Sequence, residues 1–568
     1  MKLKQKLMNA VVLGVMKKKG LRAIEELDAG AAQAVKGSEA LLMQLLRDNA
    51  NTEYGKKYGF SEIKSVRDYQ QNVPFSTYDD YAPYIERMIR NGENNLITVY
   101  PIQHYALSSG SVGVPKHIPV SEETLRLYSA FSCNRAFGLM SQYYQEKTGK
   151  SYPNGKGLYA LEAKQMFAEN GIPKGPISAT TIRPNMKYLP YVFTSPLQVI
   201  CPEEEFDKKY MKIRYALMEP NLTFMFGAFM TALVDLMSYM MRNWELLTDD
   251  IERGGIDPRI EVSEKLRAEL ADTLKPNPQR ARELRREFEK GFDEPIIPRI
   301  WKKMSWICAI GTGGFSTYTE KMRAFSGDIP IDFSVYGASE ALMAAAREVE
   351  TGEFVLLPGS GFYEFIPADA EDEETSYTID QLEPDKDYEI VITNLSGFYR
   401  YKLKDVVRVT GFYKEMPLIQ FVYRKNQMVS IAGEKTNDES VSWAVQEFSK
   451  TVGCLVTDYS VYADTDVNPG RYVIFMETDK PLPKEQHEMY RSLIEQKLGE
   501  ANPSFGDKIR THVLSKTVLH FVEPETYALY RDLQAMRGIS PNQLKPVRVI
   551  DTPVKEKFFF NRIEQNEV

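Results

Sequence analysis

Two short apolar runs that each stop at glycine constrain this chain more than any other feature. Trp306-Ile307-Cys308-Ala309-Ile310 runs into Gly311-Thr312-Gly313-Gly314, and Ile331-Asp332-Phe333-Ser334-Val335 runs into Tyr336-Gly337. An apolar run of strand length closed by a turn signal predicts a strand buried on both faces. Each reads as strand, loop and then helix, the rhythm of an α/β sheet that collects its binding loops along one edge. From Glu353 to Tyr423 the pattern changes to short alternating strands between turns, as in Tyr388-Glu389-Ile390-Val391-Ile392-Thr393 and Asp405-Val406-Val407-Arg408-Val409, which predicts a second sheet. Residues 425–568 mix a strand (Tyr472 to Glu477) with an amphipathic helix (Lys484 to Leu498), enough for a small unit of its own. The expected fold class is α/β: a large N-terminal multi-sheet α/β domain over residues 1–424 and a small C-terminal α+β domain over 425–568.

Elsewhere helices are expected. Residues 1 to about 95 read as helices that end in a turn-rich stretch near Pro74 and Pro83, and residues 120–300 read as mostly helical. Within them Leu217 to Trp244 reads as one long, Met-rich, buried core helix. Arg259 to Lys290 reads as exposed helices, with Arg280 to Arg286 as a solvated face.

The net charge of −7 spread over 568 residues disfavours a polyanion-binding surface, so no nucleic-acid partner is expected. Apolar content of 43% and charged content of 26% are those of an ordinary globular protein. Cys133, Cys201, Cys308 and Cys454 lie far apart and the five histidines form no ligand spacing, so neither a disulfide framework nor structural zinc is indicated. A cytoplasmic location follows as the expectation. The N-terminus has a basic start and an apolar run from Leu7 to Met16, then Lys17-Lys18-Lys19 with no cleavage site. That run is too short to span a bilayer, and an amphipathic helix is expected with no transmembrane segment. A monomer is expected.

Four segments carry chemistry. Ser108-Ser109-Gly110-Ser111-Val112-Gly113-Val114-Pro115-Lys116 combines glycines, which let backbone N–H groups point inward, with hydroxyl donors and a cation, a loop suited to triphosphate oxygens. It lacks the spacing of a G-x-x-x-x-G-K-[ST] loop, and alone it also reads as plain surface loop. Tyr336-Gly337-Ala338-Ser339-Glu340 offers an aromatic face for a base and a carboxylate suited to Mg²⁺. Tyr399 to Val409 places Asp405 just before a strand, where it can accept ribose hydroxyls. Arg424-Lys425-Asn426-Gln427 followed by Ser430-Ile431-Ala432-Gly433-Glu434-Lys435 joins a charged turn to a glycine-bearing strand, as a hinge does.

In order and spacing these segments resemble the adenylate-forming superfamily of acyl-CoA synthetases, adenylation domains and luciferases. Phe362 to Pro367, Gly397 to Tyr401, Val407 to Phe412, Arg424-Lys425-Asn426 and Lys435 to Glu439 are similar to the Gretchen Hagen three family, the auxin-responsive acyl acid amido synthetases. Asn542-Gln543-Leu544-Lys545-Pro546-Val547-Arg548 resembles that family's terminal Gln-Tyr-Lys-Thr-Pro-Arg, with Leu for Tyr and a displaced proline. The likeness spans about residues 35 to 550.

The resemblance implies two steps: a small carboxylic acid attacks ATP to give an acyl-adenylate and pyrophosphate, and an amino acid amine then takes the acyl group and releases AMP. It implies that Ser108, Ser109, Gly110, Ser111 and Lys116 hold the triphosphate, and that Tyr336 stacks on adenine with Gly337 and Ser339 beside it. It implies that Glu340 binds Mg²⁺, that Asp405 grips the ribose, and that Phe421 and Arg424 line the nucleotide side of the hinge. Lys435 and Lys545 would sit in the small domain, which in this superfamily swings between the half-reactions, with Lys545 serving adenylation. Two other readings stand beside it: an acyl-CoA ligase using the same first step, and a nucleotide-binding protein without turnover. Arg126, Arg135 and Arg183 are candidate anchors for the acid's carboxylate.

Overall fold

The computed structural model describes residues 3–108, 116–164, 166–180, 183–370, 375–425, 429–434, 436–540 and 544–564. The Trp306–Ile310 run is a strand, as expected. It lies in a four-stranded parallel sheet ordered Lys156–Tyr159, Leu222–Phe229, Trp306–Ile310, Ile331–Asp332. Helices Lys208–Met218, Met230–Arg253, Pro278–Phe288 and Ser316–Ser326 bury Met225, Leu233, Met237, Leu284, Ile307 and Tyr318 in one core with it.

The single helix expected from Leu217 to Trp244 is instead a helix ending at Met218, a strand over Leu222–Phe229, and a second helix from Met230. Pro220 cannot continue the helical hydrogen bonding, and the aromatic run that follows packs better on a pleated surface than around a helix. Gly157 on the neighbouring strand makes room for it, since a Cβ there would lie 2.1 Å from the Phe224 ring.

A seven-stranded antiparallel sheet is ordered Gly361–Pro367, Lys386–Asn394, Tyr401–Tyr413, Met416–Arg424, Phe354–Leu356, Leu342–Ala346, Val335–Gly337. The strand predicted over 331–335 is split between the two sheets: Ile331–Asp332 closes the parallel sheet and Val335–Gly337 opens the antiparallel one. No helix follows, because Leu342-Met343-Ala344-Ala345-Ala346 is fully buried and pairs as a strand, tertiary pairing overriding alanine's helical preference. Asp405 lies inside the strand Tyr401–Tyr413 rather than before it, one residue past Lys404, whose φ of +64° marks an irregular point in the ladder.

The Ser108–Lys116 segment joins two antiparallel strands, Ile102–Ser108 and Lys116–Ser121, with Ser108 opposite Lys116. Past residue 438 a third core forms around Val445, Phe448, Tyr459, Ile474 and Leu498. It packs on a sheet ordered Val518–Phe521, Arg471–Thr478, Val456–Asp464, Val549–Ile550. The strand expected at 472–477 and the helix expected at 484–498 are both present, the helix as His487–Ala501 after one 3₁₀ turn. The glycine-bearing segment after Ser430 is not a strand but a bend closed by the Val429 and Thr436 pair, with Gly433 at φ +86°.

The basic run is only partly solvated. Arg280 is 6% exposed and donates to the Leu217 carbonyl at 2.8 Å and the Ile300 carbonyl at 3.0 Å. The N-terminal helix Leu3–Ala31 is docked on the large domain. It crosses the helix Arg135–Thr148 at Gly20 and Gly138, where a Cβ on Gly20 would lie 2.0 Å from the Asn134 carbonyl oxygen. Among the described residues no helix is long and apolar enough to cross a membrane.

Candidate active site

The N-terminal helix, the ends of the parallel strands, the antiparallel sheet and the last segment of the chain enclose a cavity of about 1750 Å³. Pockets for drug-sized ligands run from about 300 to 1,000 Å³, so this one has room for two substrates.

One wall is charged. Glu340 sits in the turn between Val335–Gly337 and Leu342–Ala346, its backbone carbonyl held by Asn394 Nδ2 at 2.8 Å. Its Oε1 accepts from Tyr401 Oη at 3.1 Å. Tyr336 Oη donates to Asp405 Oδ2 at 3.0 Å, and Arg424 Nε donates to Asp405 Oδ1. These groups meet because the strands Val335–Gly337, Tyr401–Tyr413 and Met416–Arg424 belong to one sheet, where Asp405 stands opposite Arg424 in the register. Asp405 keeps the Arg424 guanidinium firmly charged, and burial with Asp405 beside it pushes the Tyr336 phenol well above the ordinary range, so the phenol remains a donor.

Lys545 reaches the same wall from the far end of the sequence. It presents exposed surface, and that surface faces the cavity. Surrounding protein and the neighbouring Arg424 charge lower its pKa to about 8, against the opposing pull of Asp405 and Glu340.

Of the residues singled out from sequence, Lys116, Gly337, Ser339, Glu340, Arg424 and Lys545 line the cavity. Lys116 Nζ lies 4.9 Å from the centre of the Tyr78 ring. Tyr336, Asp405 and Phe421 stand behind the wall. Tyr336 is 9% exposed and its ring lies 6.0 Å from that of Phe421, while Asp405 has both oxygens engaged by Tyr336 and Arg424. Phe421 packs on Gly313, where a Cβ would come within 2.7 Å of the ring and φ is +59°, so glycine there is a requirement of both space and backbone. Ser108 ends its strand opposite Lys116. Ser109, Gly110, Ser111 and Lys435 lie outside the described residues.

Arg135, a candidate carboxylate anchor, is instead structural: fully buried, it pairs with Asp332 at 2.8 Å and donates to the Phe131 and Ala346 carbonyls. Arg126 is exposed and does not line the cavity, and the Arg183 side chain is not among those described. The roles of three features carry no sequence signal. Tyr401 orients Glu340. A π-helical segment, Ser129–Asn134, interrupts the helical run and places Ser129, Ser132 and Cys133 on the cavity. Burial raises the Cys133 thiol to about 12, so it is no thiolate at neutral pH.

The third feature joins the C-terminal segment to the large domain. Arg548 stacks over Tyr459 at 4.0 Å, donates to the Gly314 carbonyl at 2.6 Å and pairs with Asp458 at 2.6 Å. Arg531 pairs with Asp235 at 2.8 Å, donates to Tyr318 Oη at 2.6 Å and lies 3.4 Å from Asp458, which also accepts from Tyr318. Gly314 has no room for a side chain, since a Cβ would lie 2.6 Å from the Asp438 carboxylate.

Comparison with known proteins points one way. The chain matches the profiles described as GH3 family N-terminal domain over residues 23–331, GH3 family central domain over 354–424 and GH3 family C-terminal domain over 439–554. It is 29% identical over 564 residues to the indole-3-acetic acid-amido synthetase GH3.8 of Oryza sativa subsp. indica, covering 94% of this chain and 90% of that one. It is 28% identical to the probable indole-3-acetic acid-amido synthetase GH3.1 of Arabidopsis thaliana, covering 95% and 92%. The solved structure of the GH3.15 acyl acid amido synthetase superposes with a TM-score of 0.82 at 24% identity, over 95% of this chain and 96% of that one, which establishes a shared fold.

Proposed function

Because the chain belongs to the GH3 family, we propose that it is an ATP-dependent acyl acid amido synthetase. An oxygen of the acid's carboxylate forms a bond to the α-phosphorus of ATP, and the bond to the β-phosphate oxygen breaks as pyrophosphate leaves. An amino acid amine then forms a C–N bond to the activated carbonyl, the C–O bond to AMP breaks, and the amine gives up its proton. The carboxylate is a poor electrophile until it carries this leaving group, so catalysis rests on positioning and charge stabilisation around phosphate.

The observation that carries this reading is that Lys545 comes from the last segment of the chain to the wall that holds Glu340 and Arg424, all three on one cavity. Arg424 and Lys545 supply positive charge to phosphate oxygens, and Lys116, at the start of the strand Lys116–Ser121, supplies more. Asp405 fixes Arg424; a ribose hydroxyl reaching Asp405 has to displace Arg424 or Tyr336 from it. Residues 1–424 act as the large ATP- and acid-binding domain and residues 425–568 as the small domain that swings between the half-reactions.

Among the described residues no group of three or more acidic, histidine or cysteine side chains is placed to hold a metal ion. Mg²⁺ commonly takes one or two carboxylates together with substrate phosphates, and Glu340 on the charged wall fits that role. The ion would neutralise charge on the polyphosphate. The cytoplasmic setting remains part of this reading, supported by four free cysteines.

The test is a screen of carboxylic acids with ATP and Mg²⁺, read as pyrophosphate release, followed by AMP release with amino acids or with coenzyme A. Acid-dependent pyrophosphate release and amino-acid-dependent AMP release are expected. Stimulation by coenzyme A alone would make it an acyl-CoA ligase, and no acid-dependent pyrophosphate at all would overturn the proposal.

A further inference from the structure

Leu7, Val11 and Val15 recur at four-residue spacing on the N-terminal helix and are 65%, 52% and 50% exposed. Of these, Val11 and Val15 line the cavity, an apolar stripe on an otherwise docked helix that asks for an occupant. The docking is firm on another side. Asn9 Nδ2 donates to the Gly155 carbonyl at 3.0 Å and the Tyr191 carbonyl at 2.7 Å, Leu13 is buried, and Gly20 meets Gly138 backbone to backbone. This arrangement turns the lining residues between Met8 and Met16 onto the cavity, and every one of them is apolar.

Val12 and Met16 also pack against the cluster that includes Leu161, Val192 and Phe226, which line the same cavity. Among the described lining residues of 159–161, 189–193 and 226–229 none is charged; the charged lining residues lie mainly on the antiparallel sheet, with Glu340, Lys402 and Arg424, and on the last segment, with Lys545 and Arg548, while Lys19 brings a charge to the end of the helix face one turn past Met16. The cavity therefore has a charged part and an apolar part. A triphosphate and a carboxylate fit the first. Only an uncharged body fits the second without the penalty of burying an unpaired polar group.

Resting on the acid-activating function proposed above, we propose that the Met8–Met16 face of the N-terminal helix is the wall on which the body of the acid lies.

The experiment is a series of saturated straight-chain monocarboxylates from butanoate to decanoate, with decanedioate as the charged-tail comparator, scored by pyrophosphate release. The KM for the acid should fall about four-fold per added methylene while the chain still finds apolar surface, the fold-change of ~0.8 kcal/mol per buried CH₂. Decanedioate should be worse than decanoate by at least about ten-fold. Val15→Asp, and independently Met8→Lys, should raise the decanoate KM by about ten-fold with the KM for ATP unmoved, while Val15→Leu stays close to the parent; melting temperature checks that each variant is folded. A flat KM across the series with silent variants overturns this inference while the amido synthetase reading stands. So does a rise in the acid and ATP constants together, the mark of damaged packing. Absence of pyrophosphate with every acid overturns both.

Discussion

Lys545 is the residue on which the proposed first step turns. Below about pH 8 it carries its proton and attracts phosphate; above that it is neutral in the free protein, because the surrounding protein and Arg424 disfavour the charge. The kcat/KM for ATP should therefore fall as pH rises through about 8. The kcat profile should fall at a higher pH, since bound triphosphate favours the ammonium form. In Lys545→Ala pyrophosphate exchange should drop by about 10²–10³ while calorimetric ATP binding persists, and the fall of kcat/KM near pH 8 should vanish. Exchange at the parent rate would remove this lysine from the mechanism. At this scale the sequence was legible where a residue's chemistry is self-announcing: Arg424, Glu340 and Lys545 are charged groups in a recognisable order, and all reach the cavity. It was silent on Tyr401, since a tyrosine that orients a carboxylate 61 positions away leaves no local trace.

The elements matter through how closely two of them cross. The N-terminal helix can form a cavity wall only because Gly20 and Gly138 let two backbones touch. Gly20→Ala should destabilise the fold by ~1–3 kcal/mol through overpacking, read in denaturant titration. Gly14, which has nothing within 4 Å of a would-be Cβ, should tolerate alanine and gain up to ~1 kcal/mol. Where the chain leaves the parallel sheet, Arg135 and Asp332 form a fully buried pair. Asp332→Asn strands the guanidinium and should cost ~3–5 kcal/mol in the same measurement. The periodicity gave the right element type for Trp306–Ile310, Arg471–Thr478 and His487–Ala501. It failed at Leu222–Phe229 and Leu342–Ala346, where a run buried on all sides has no polar face to set its period.

The whole molecule is organised around the contact between the large domain and the C-terminal segment. Asp458 gathers Arg531, Arg548 and Tyr318, and Arg531 continues to Asp235. If the small domain swings, these contacts belong to the orientation that brings Lys545 to the charged wall. Asp235→Asn should then slow pyrophosphate release by about ten-fold, equivalent to ~1.4 kcal/mol in the balance of orientations. Consumption of a supplied acyl-adenylate by amine should be unaffected. Rapid-quench measurement of each half-reaction separates the two, and equal losses would show that the network holds the fold and nothing more.

Residue types and their spacing by themselves determined that this chain would carry α/β sheets, a C-terminal unit and a set of charged segments, three of whose residues, Glu340, Arg424 and Lys545, line one cavity. Those are properties of short stretches, because period and chemistry are written over five to ten neighbours. The tertiary structure alone decided that the apolar N-terminal run faces a cavity, that Arg135 is spent on Asp332, that Tyr336 and Asp405 stand behind the wall, and that Arg531 and Arg548 tie the small domain down. Each is a contact between residues far apart in sequence, fixed by sheet register and helix crossing, and no local window contains both partners.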